Sequence, residues 1–301
     1  MELGKFEIRI DNKKIIDILH RITDEKVIRI YQVCERFGQL EKDFRRYDVY
    51  LIETKLGRKV LKCVNEKEVK NYEKYLSKYK ISVPKYYGKT VDRNKTWILI
   101  EYIDGDDLRN MTDELAIAAA KSLSEIQNTC WIRKDKELRD GKRFDEYLKR
   151  INKRFQYIKD ENLIGDAYSI FLNRQIECPK TLSNGDFLQF NVVCKQGEVF
   201  VIDWGFGGIM PYSLDIARFI AHATENKETF PFYMNDKQKN IFIKDIYSQL
   251  KNKPVYSQYI YDIKLAVLNE YVEFIEADED ENGWYYKSAL KLADDIIKNQ
   301  I

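Results

Sequence analysis

The sequence predicts an α+β fold in two lobes, a small β-rich N-terminal lobe over residues 1–103 and a larger α-helical C-terminal lobe over residues 104–301. Two patterns carry this. Between residues 27 and 103 lie runs rich in β-branched and aromatic residues, "VIRIYQVCERF", "YDVYLIET", "RKVLKCV" and "WILIEYI", punctuated by Gly38, Gly57 and Gly88. From Asp113 onward apolar residues recur instead at spacings of three and four, which is helical. The stretch "DGDDLRNMT" marks the change and is the candidate boundary. With 301 residues, 44% of them hydrophobic, the chain is long enough for two sizeable cores.

One helix is expected within the strand-rich half, at "EKEVKNYEKYLSKYK", where Val69, Tyr72, Leu76 and Tyr79 share a face and Pro84 lies beyond. In the second half "ELAIAAAKSLSEIQNTCW" aligns Leu115, Ala119, Leu123, Ile126 and Cys130, and "FDEYLKRINKRFQYIK" aligns Leu148, Ile151, Phe155 and Ile158. Strands return around residues 181–183 and in "VVCK" and "VFVID". Helices are then expected near residues 213–224, 236–250, 258–277 and 285–299.

Composition narrows the function. Lys and Arg total 51 against 49 Asp and Glu, so the net charge of +2 gives no general affinity for nucleic acid or an anionic membrane. Locally, Arg45 and Arg46 beside Phe44 and Tyr47 are diluted by Glu41, Asp43 and Asp48, and no nucleic-acid partner is expected. The five cysteines are odd in number, widely spaced and form no CxxC pair, against a disulfide framework or a zinc site. No run approaches the ~20 apolar residues of a membrane span, and "MELGKFEIRIDNKK" lacks a signal-peptide core, so a cytoplasmic protein is expected.

The chemistry concentrates in "TLSNGDFLQFNVVCKQGEVFVIDWGFGG", residues 181–208. Asn, Gly and Asp are ordinary turn residues, but turn chemistry explains neither their spacing nor a lysine upstream. Asp186 and Asn191 are five apart, so one loop aims both side chains into one space. Asp203 ends a strand twelve residues later, where a hairpin returns it beside Asn191. One Asn carbonyl and one carboxylate suit Mg²⁺, which takes few protein oxygens and keeps the rest for phosphates and water. Asp186 is then left to act as a base.

These residues resemble the aminoglycoside phosphotransferase and choline kinase family, the protein-kinase-like phosphotransferases that act on small molecules, over about residues 27–225. The resemblance implies a bilobal protein-kinase-like fold and a Mg²⁺-dependent transfer of the γ-phosphate of ATP or GTP to a hydroxyl. It implies that Asp186 is the catalytic base and that Asn191 and Asp203 hold the metal. Lys62 in "KVLKCV" is implied to grip the nucleotide phosphates and to pair with a helix glutamate, Glu68 or, second, Glu73. Glu101 and Ile103 in "EYIDG" fall in the segment whose backbone meets the purine, and Asp215 in "PYSLDIARF" where an acidic residue holds the catalytic loop. Arg218 reads as an ion-pair partner within that turn. Two departures stand out: Asn184 replaces the family's His before Gly-Asp, and the nucleotide-covering loop has only Gly38 in place of several glycines.

The resemblance also implies that the C-terminal helices wall the acceptor. There "EFIEADEDENGWYY" carries Asp278, Glu279, Asp280 and Glu281 beside Trp284. Such acids hold the ammonium groups of aminoglycosides, and such aromatics hold quaternary ammonium by cation–π contact. The same stretch also reads as a solvated acidic loop. A small cationic acceptor is therefore expected, first an aminoglycoside-like antibiotic, as in resistance enzymes, with choline, ethanolamine or a sugar as alternatives. Asn184 and the glycine-poor loop motivate a different reading, a kinase-fold binding protein without catalysis, as in spore-coat relatives.

Overall fold

The computed structural model describes residues 5–36, 44–133, 141–280 and 282–299. Gly38 and its loop, Glu41, Asp43 and Glu281 lie outside the described residues. The chain divides into two units, one up to Asp104 and one from Gly105.

The first unit contains β1 (Lys5–Ile10), α1 (Lys13–His20), β2 (Val27–Arg36), β3 (Phe44–Thr54), β4 (Gly57–Val64), α2 (Glu66–Lys74), β5 (Tyr86–Asp92) and β6 (Lys95–Glu101). The strands form one antiparallel sheet in the order β1-β2-β3-β4-β6-β5. Arg93 and Asn94, both at positive φ, make the two-residue turn whose twist matches the strands it joins, so Asp92 pairs with Lys95. The apolar face of α1 (Ile15, Ile18, Leu19) packs on Ile30, Ile52, Leu61, Trp97 and Leu99 of the sheet. β1 and α1 extend the architecture upstream of the strand-rich stretch that the patterning singles out. The helix expected through residue 80 ends at Lys74 and continues as a 3₁₀ turn at Leu76–Lys78. Val69, Tyr72 and Leu76 are buried as the spacing predicts, whereas Tyr79 is exposed because the chain is extended there.

The second unit contains β7 (Asp106–Asp107), α3 (Asp113–Gln127), α4 (Lys142–Ile158), α5 (Asn162–Glu177), β8 (Lys180–Ser183), β9 (Val192–Lys195), β10 (Glu198–Val201), β11 (Gly208–Pro211), α6 (Ser213–Ala221), α7 (Asp236–Gln249), α8 (Tyr256–Glu276) and α9 (Trp284–Lys298). Two small antiparallel sheets, β10-β9-β7 and β11-β8, sit among the helices. α5 has no counterpart in the pattern reading, and α4 buries a stripe turned from the expected one. Phe144, Tyr147, Ile151, Arg154 and Ile158 face inward, because the Arg154 head pairs with Glu273 at 2.8 Å and donates to Asn269 at 2.6 Å. All five cysteines are free thiols. Among the described residues no helix is long and apolar enough to cross a membrane.

Candidate active site

Two short antiparallel pairings build the catalytic loop. In the first, Gln196 and Gly197 turn at positive φ, and the β9–β10 register sets Val192 against Val201. The next pair outward is Asn191 and Ile202, joined by Ile202 N–H donating to Asn191 O at 2.9 Å. Asp203 therefore emerges beside Asn191, as the spacing predicts. In the second, β8 pairs with β11 so that Ser183 faces Gly208, bringing residues 184–186 alongside the segment that follows Asp203.

That approach is tight enough to require glycine. Gly185 has φ +76°, and a Cβ there would lie 2.3 Å from Phe206 O. Asp203 itself is held at φ +56°, a left-handed conformation costing a non-glycine residue about 1 kcal/mol or more.

Three side chains fix the loop. Asp215, in the first turn of α6, accepts from Ser183 Oγ at 2.8 Å, Asn184 N at 2.8 Å and Gly185 N at 3.0 Å. Burial pushes its carboxyl up to about 6 in spite of these donors. Asn184 donates from Nδ2 to Ile202 O and Asp203 O, both at 3.1 Å, and its Oδ1 accepts from Asp186 N at 3.2 Å. The amide thus props the loop from the position of the family's His. Asn191 Nδ2 donates to Asp186 O at 2.9 Å and Oδ2 at 3.0 Å, which commits its amide nitrogen to Asp186.

The other Asp186 oxygen is taken by Arg218, which the sequence pattern pairs only within its own turn. Arg218, on α6, donates to Oδ1 from Nη2 at 3.0 Å and to Glu270 on α8 from Nη1 at 2.7 Å. Its partners thus lie in the catalytic loop and on α8, not within its own turn. Burial pushes the Asp186 carboxyl up while the Arg218 charge opposes this. Glu270 is held low: burial alone would raise it, but Arg218 and His222 outweigh that. His222 is fully buried, 3.0 Å from Glu270 Oε2 and 2.9 Å from Tyr285 OH, and burial pushes its imidazole down. A continuous polar chain therefore runs Asp186–Arg218–Glu270–His222–Tyr285. The helical period placed Arg218 on the Asp215 turn, but its partners 32 and 52 residues away left no local signal.

Asp186, Arg218, Glu270 and Glu273 border a cavity of about 190 Å³ with Arg143 and Arg150 of α4. Asp278, Glu279, Asp280 and Trp284 do not line it. Asp280 instead accepts from Tyr285 N and Tyr286 N, both at 2.9 Å, and so satisfies first-turn N–H groups of α9, while Trp284 Nε1 donates to Glu228 at 3.1 Å. The acids bordering the cavity, Glu270 and Glu273, come from α8; Glu273 opens the stretch quoted above, five residues before Asp278, and Glu270 precedes it by about one turn.

In the first unit Lys62 Nζ lies 2.7 Å from Glu68 Oε1, with both side chains largely buried. Asn65 caps α2 by accepting from Glu68 N at 2.9 Å, which turns Glu68 toward β4. Glu73 points elsewhere, to Lys89 Nζ at 3.0 Å and Tyr86 OH at 3.2 Å. Glu101 ends β6 with its N–H donating to Lys85 O at 2.8 Å, and Ile103 is buried.

A carboxylate and an amide carbonyl from adjoining chain segments, Asp203 and Asn191, fit a hard divalent cation that completes its shell with phosphate and water. Among the described residues there is no cluster of three or more His, Cys, Asp or Glu for an all-protein metal cage.

A sheet-and-helix first unit and a helical second unit carrying this loop define the protein-kinase-like fold, here in its phosphotransferase form. The chain belongs to the APH family of phosphotransferase enzymes, whose model matches residues 38–236. Among solved structures it is similar to the amicoumacin kinase hAmiN, solved with AMP-PNP, Ca²⁺ and Ami, at TM-score 0.59 and 12% identity over 97% of this chain and 94% of that one. It is also similar to an ethanolamine kinase from Plasmodium vivax, at TM-score 0.54 and 14% identity over 97% and 82% of the two chains. A third is the choline kinase LicA from Streptococcus pneumoniae, at 0.52 and 17% over 95% and 98%. At such identities the likeness is one of fold. No curated protein matches the chain.

Proposed function

We propose that this phosphotransferase is a small-molecule kinase that moves the γ-phosphate of ATP or GTP to a hydroxyl of its acceptor. The observation that carries the reading is the Asp186 carboxylate, half-buried and gripped on one oxygen by Arg218 and on the other by Asn191. A carboxylate so fixed orients an acceptor hydroxyl and takes its proton as the phosphoryl group arrives, with no reorganisation during the step. Asn191 and Asp203 would hold Mg²⁺, which when bound neutralises phosphate charge. Lys62, kept in place by Glu68, would position the nucleotide phosphates, and the backbone at Glu101 and Ile103 would meet the purine. Catalysis of this kind is mostly positioning and charge stabilisation.

The test is nucleoside diphosphate release from ATP and from GTP with Mg²⁺ over a panel of aminoglycosides, choline, ethanolamine, sugars and hydroxy acids. Acceptor-dependent release that Asp186→Asn abolishes supports the kinase. Release in Asp186→Asn equal to the parent would overturn it.

A further inference from the structure

The cavity beside Asp186 has two chemically different walls. On the α8 wall each carboxylate is matched inside the fold: Glu270 by Arg218 at 2.7 Å and His222 at 3.0 Å, and Glu273 by Arg154 at 2.8 Å. Asp186 has Arg218 at 3.0 Å. The α4 wall is cationic and only partly matched. Arg143 and Arg150 lie two turns apart on one helix face, and both line the cavity. The carboxylate nearest Arg143 is Glu146, at 3.6 Å, and Arg150 makes no ion pair or hydrogen bond among the described residues.

Arg143 is nevertheless built into place. Its Nε donates to Phe206 O at 2.9 Å. Its stem crosses Gly208, where a Cβ would come within 2.7 Å of Arg143 Cγ and where φ is +159°. Burial and the like charge of Arg150 push the Arg143 pKa down, outweighing the opposite pull of Glu146.

We propose that the acceptor carries a carboxylate, gripped by Arg143 and Arg150 on the α4 wall, while its hydroxyl faces Asp186. The guanidinium fork matches a carboxylate in two parallel hydrogen bonds, and a pair of forks selects that group over a neutral one. The cavity volume, about 190 Å³, lies below the roughly 300–1,000 Å³ of sites for drug-sized ligands, which favours a small hydroxy acid over a multi-ring aminoglycoside. The inference rests on the kinase reading for the hydroxyl but not for the carboxylate, and the two can be separated by experiment.

The experiment uses matched compounds that differ by the carboxylate: serine against ethanolamine, homoserine against 3-aminopropanol, and glycerate against ethylene glycol. Binding to the full chain is measured by calorimetry and, separately, diphosphate release with Mg²⁺ and ATP or GTP. The carboxylate member of at least one pair should bind at least about tenfold more tightly. Arg150→Gln, an exposed position whose loss leaves the core intact, should erase that preference without weakening the carboxylate-free member. No carboxylate preference in any pair, or a preference that survives in both Arg150→Gln and Arg143→Gln, overturns the proposal. Turnover of carboxylate-free compounds without that preference keeps the kinase and removes the carboxylate site. A carboxylate preference without diphosphate release from any compound keeps the site and removes the kinase.

Discussion

Arg218 grips Asp186 with two nitrogens on a single oxygen, Nε at 3.1 Å and Nη2 at 3.0 Å from Oδ1. The guanidinium both orients the carboxylate and opposes the burial that pushes its pKa up. Arg218→Gln should therefore lower kcat/KM by about 10² or more and move the acidic limb of its pH profile to higher pH, because the base is then harder to ionise. It should also cost about 3–5 kcal/mol of stability, since Glu270 loses a buried cation. An unshifted acidic limb in a folded variant would show that Arg218 serves packing alone.

Lys62 and Glu68 form a largely buried pair, whereas Glu73 belongs to an exposed pair with Lys89. Lys62→Met should raise the KM for nucleotide or abolish turnover, and Glu68→Gln should produce a weaker version of the same defect. Glu73→Gln should leave nucleotide kinetics at the parent level. Steady-state kinetics on the three variants check the assignment, and a nucleotide defect in Glu73→Gln as large as that of Glu68→Gln would reverse it.

Asp203 combines a metal-capable carboxylate with an unfavourable backbone. Asp203→Gly relieves the strain of φ +56° while adding glycine's chain entropy, effects of about 1 kcal/mol each and opposite in sign. The melting temperature should stay within a few degrees of the parent while Mg²⁺-dependent turnover is lost, about 10³-fold or more. Thermal unfolding and diphosphate release on the same preparation separate the two effects.

His222 gives the fold a pH dependence of defined sign. Its folded pKa lies below the unfolded 6.5, so its contribution is complete above pH 6.5 and is lost as pH falls through the folded value. Asp215 works in the other direction: with its folded pKa near 6 against 3.8 unfolded, its contribution is lost as pH rises from about 4 to 6. In the parent the two slopes partly cancel. His222→Gln removes the first, so its stability should decline more steeply, or rise less, between pH 5 and 6.5 than the parent's. Denaturant midpoints across that range measure the difference.

The motif spacing made the catalytic loop legible because a strand pairing converts sequence distance into position. Asn191 and Asp203 meet because a two-residue turn at Gln196 and Gly197 admits that register. Lys62 and Glu68 were legible for a similar local reason, a strand followed at once by a capped helix. Arg218, Glu270, Arg143 and Arg150 were not, since their meeting depends on how α4, α6 and α8 pack, and a charged residue that pairs across helices looks in sequence like one that faces water. Dense charge likewise drew the expected acceptor wall to residues 278–284, none of whose named residues, Asp278, Glu279, Asp280 and Trp284, lines the cavity beside Asp186. Asp280 is bound there to the start of α9, while α8 carries the inward acids among apolar neighbours. α5 has a buried face but little periodic contrast, because Gly165 and the polar Gln175 interrupt it.

The contact between Gly185 and Phe206 O leaves no room for a single methyl group, and it joins the turn bearing Asp186 to the turn that follows Asp203. The two carboxylates consequently share one mechanical frame. Directed evolution that diversifies residues 184–186 alone, or 203–208 alone, should yield mostly inactive clones, and productive variants should arise from libraries in which both turns change together.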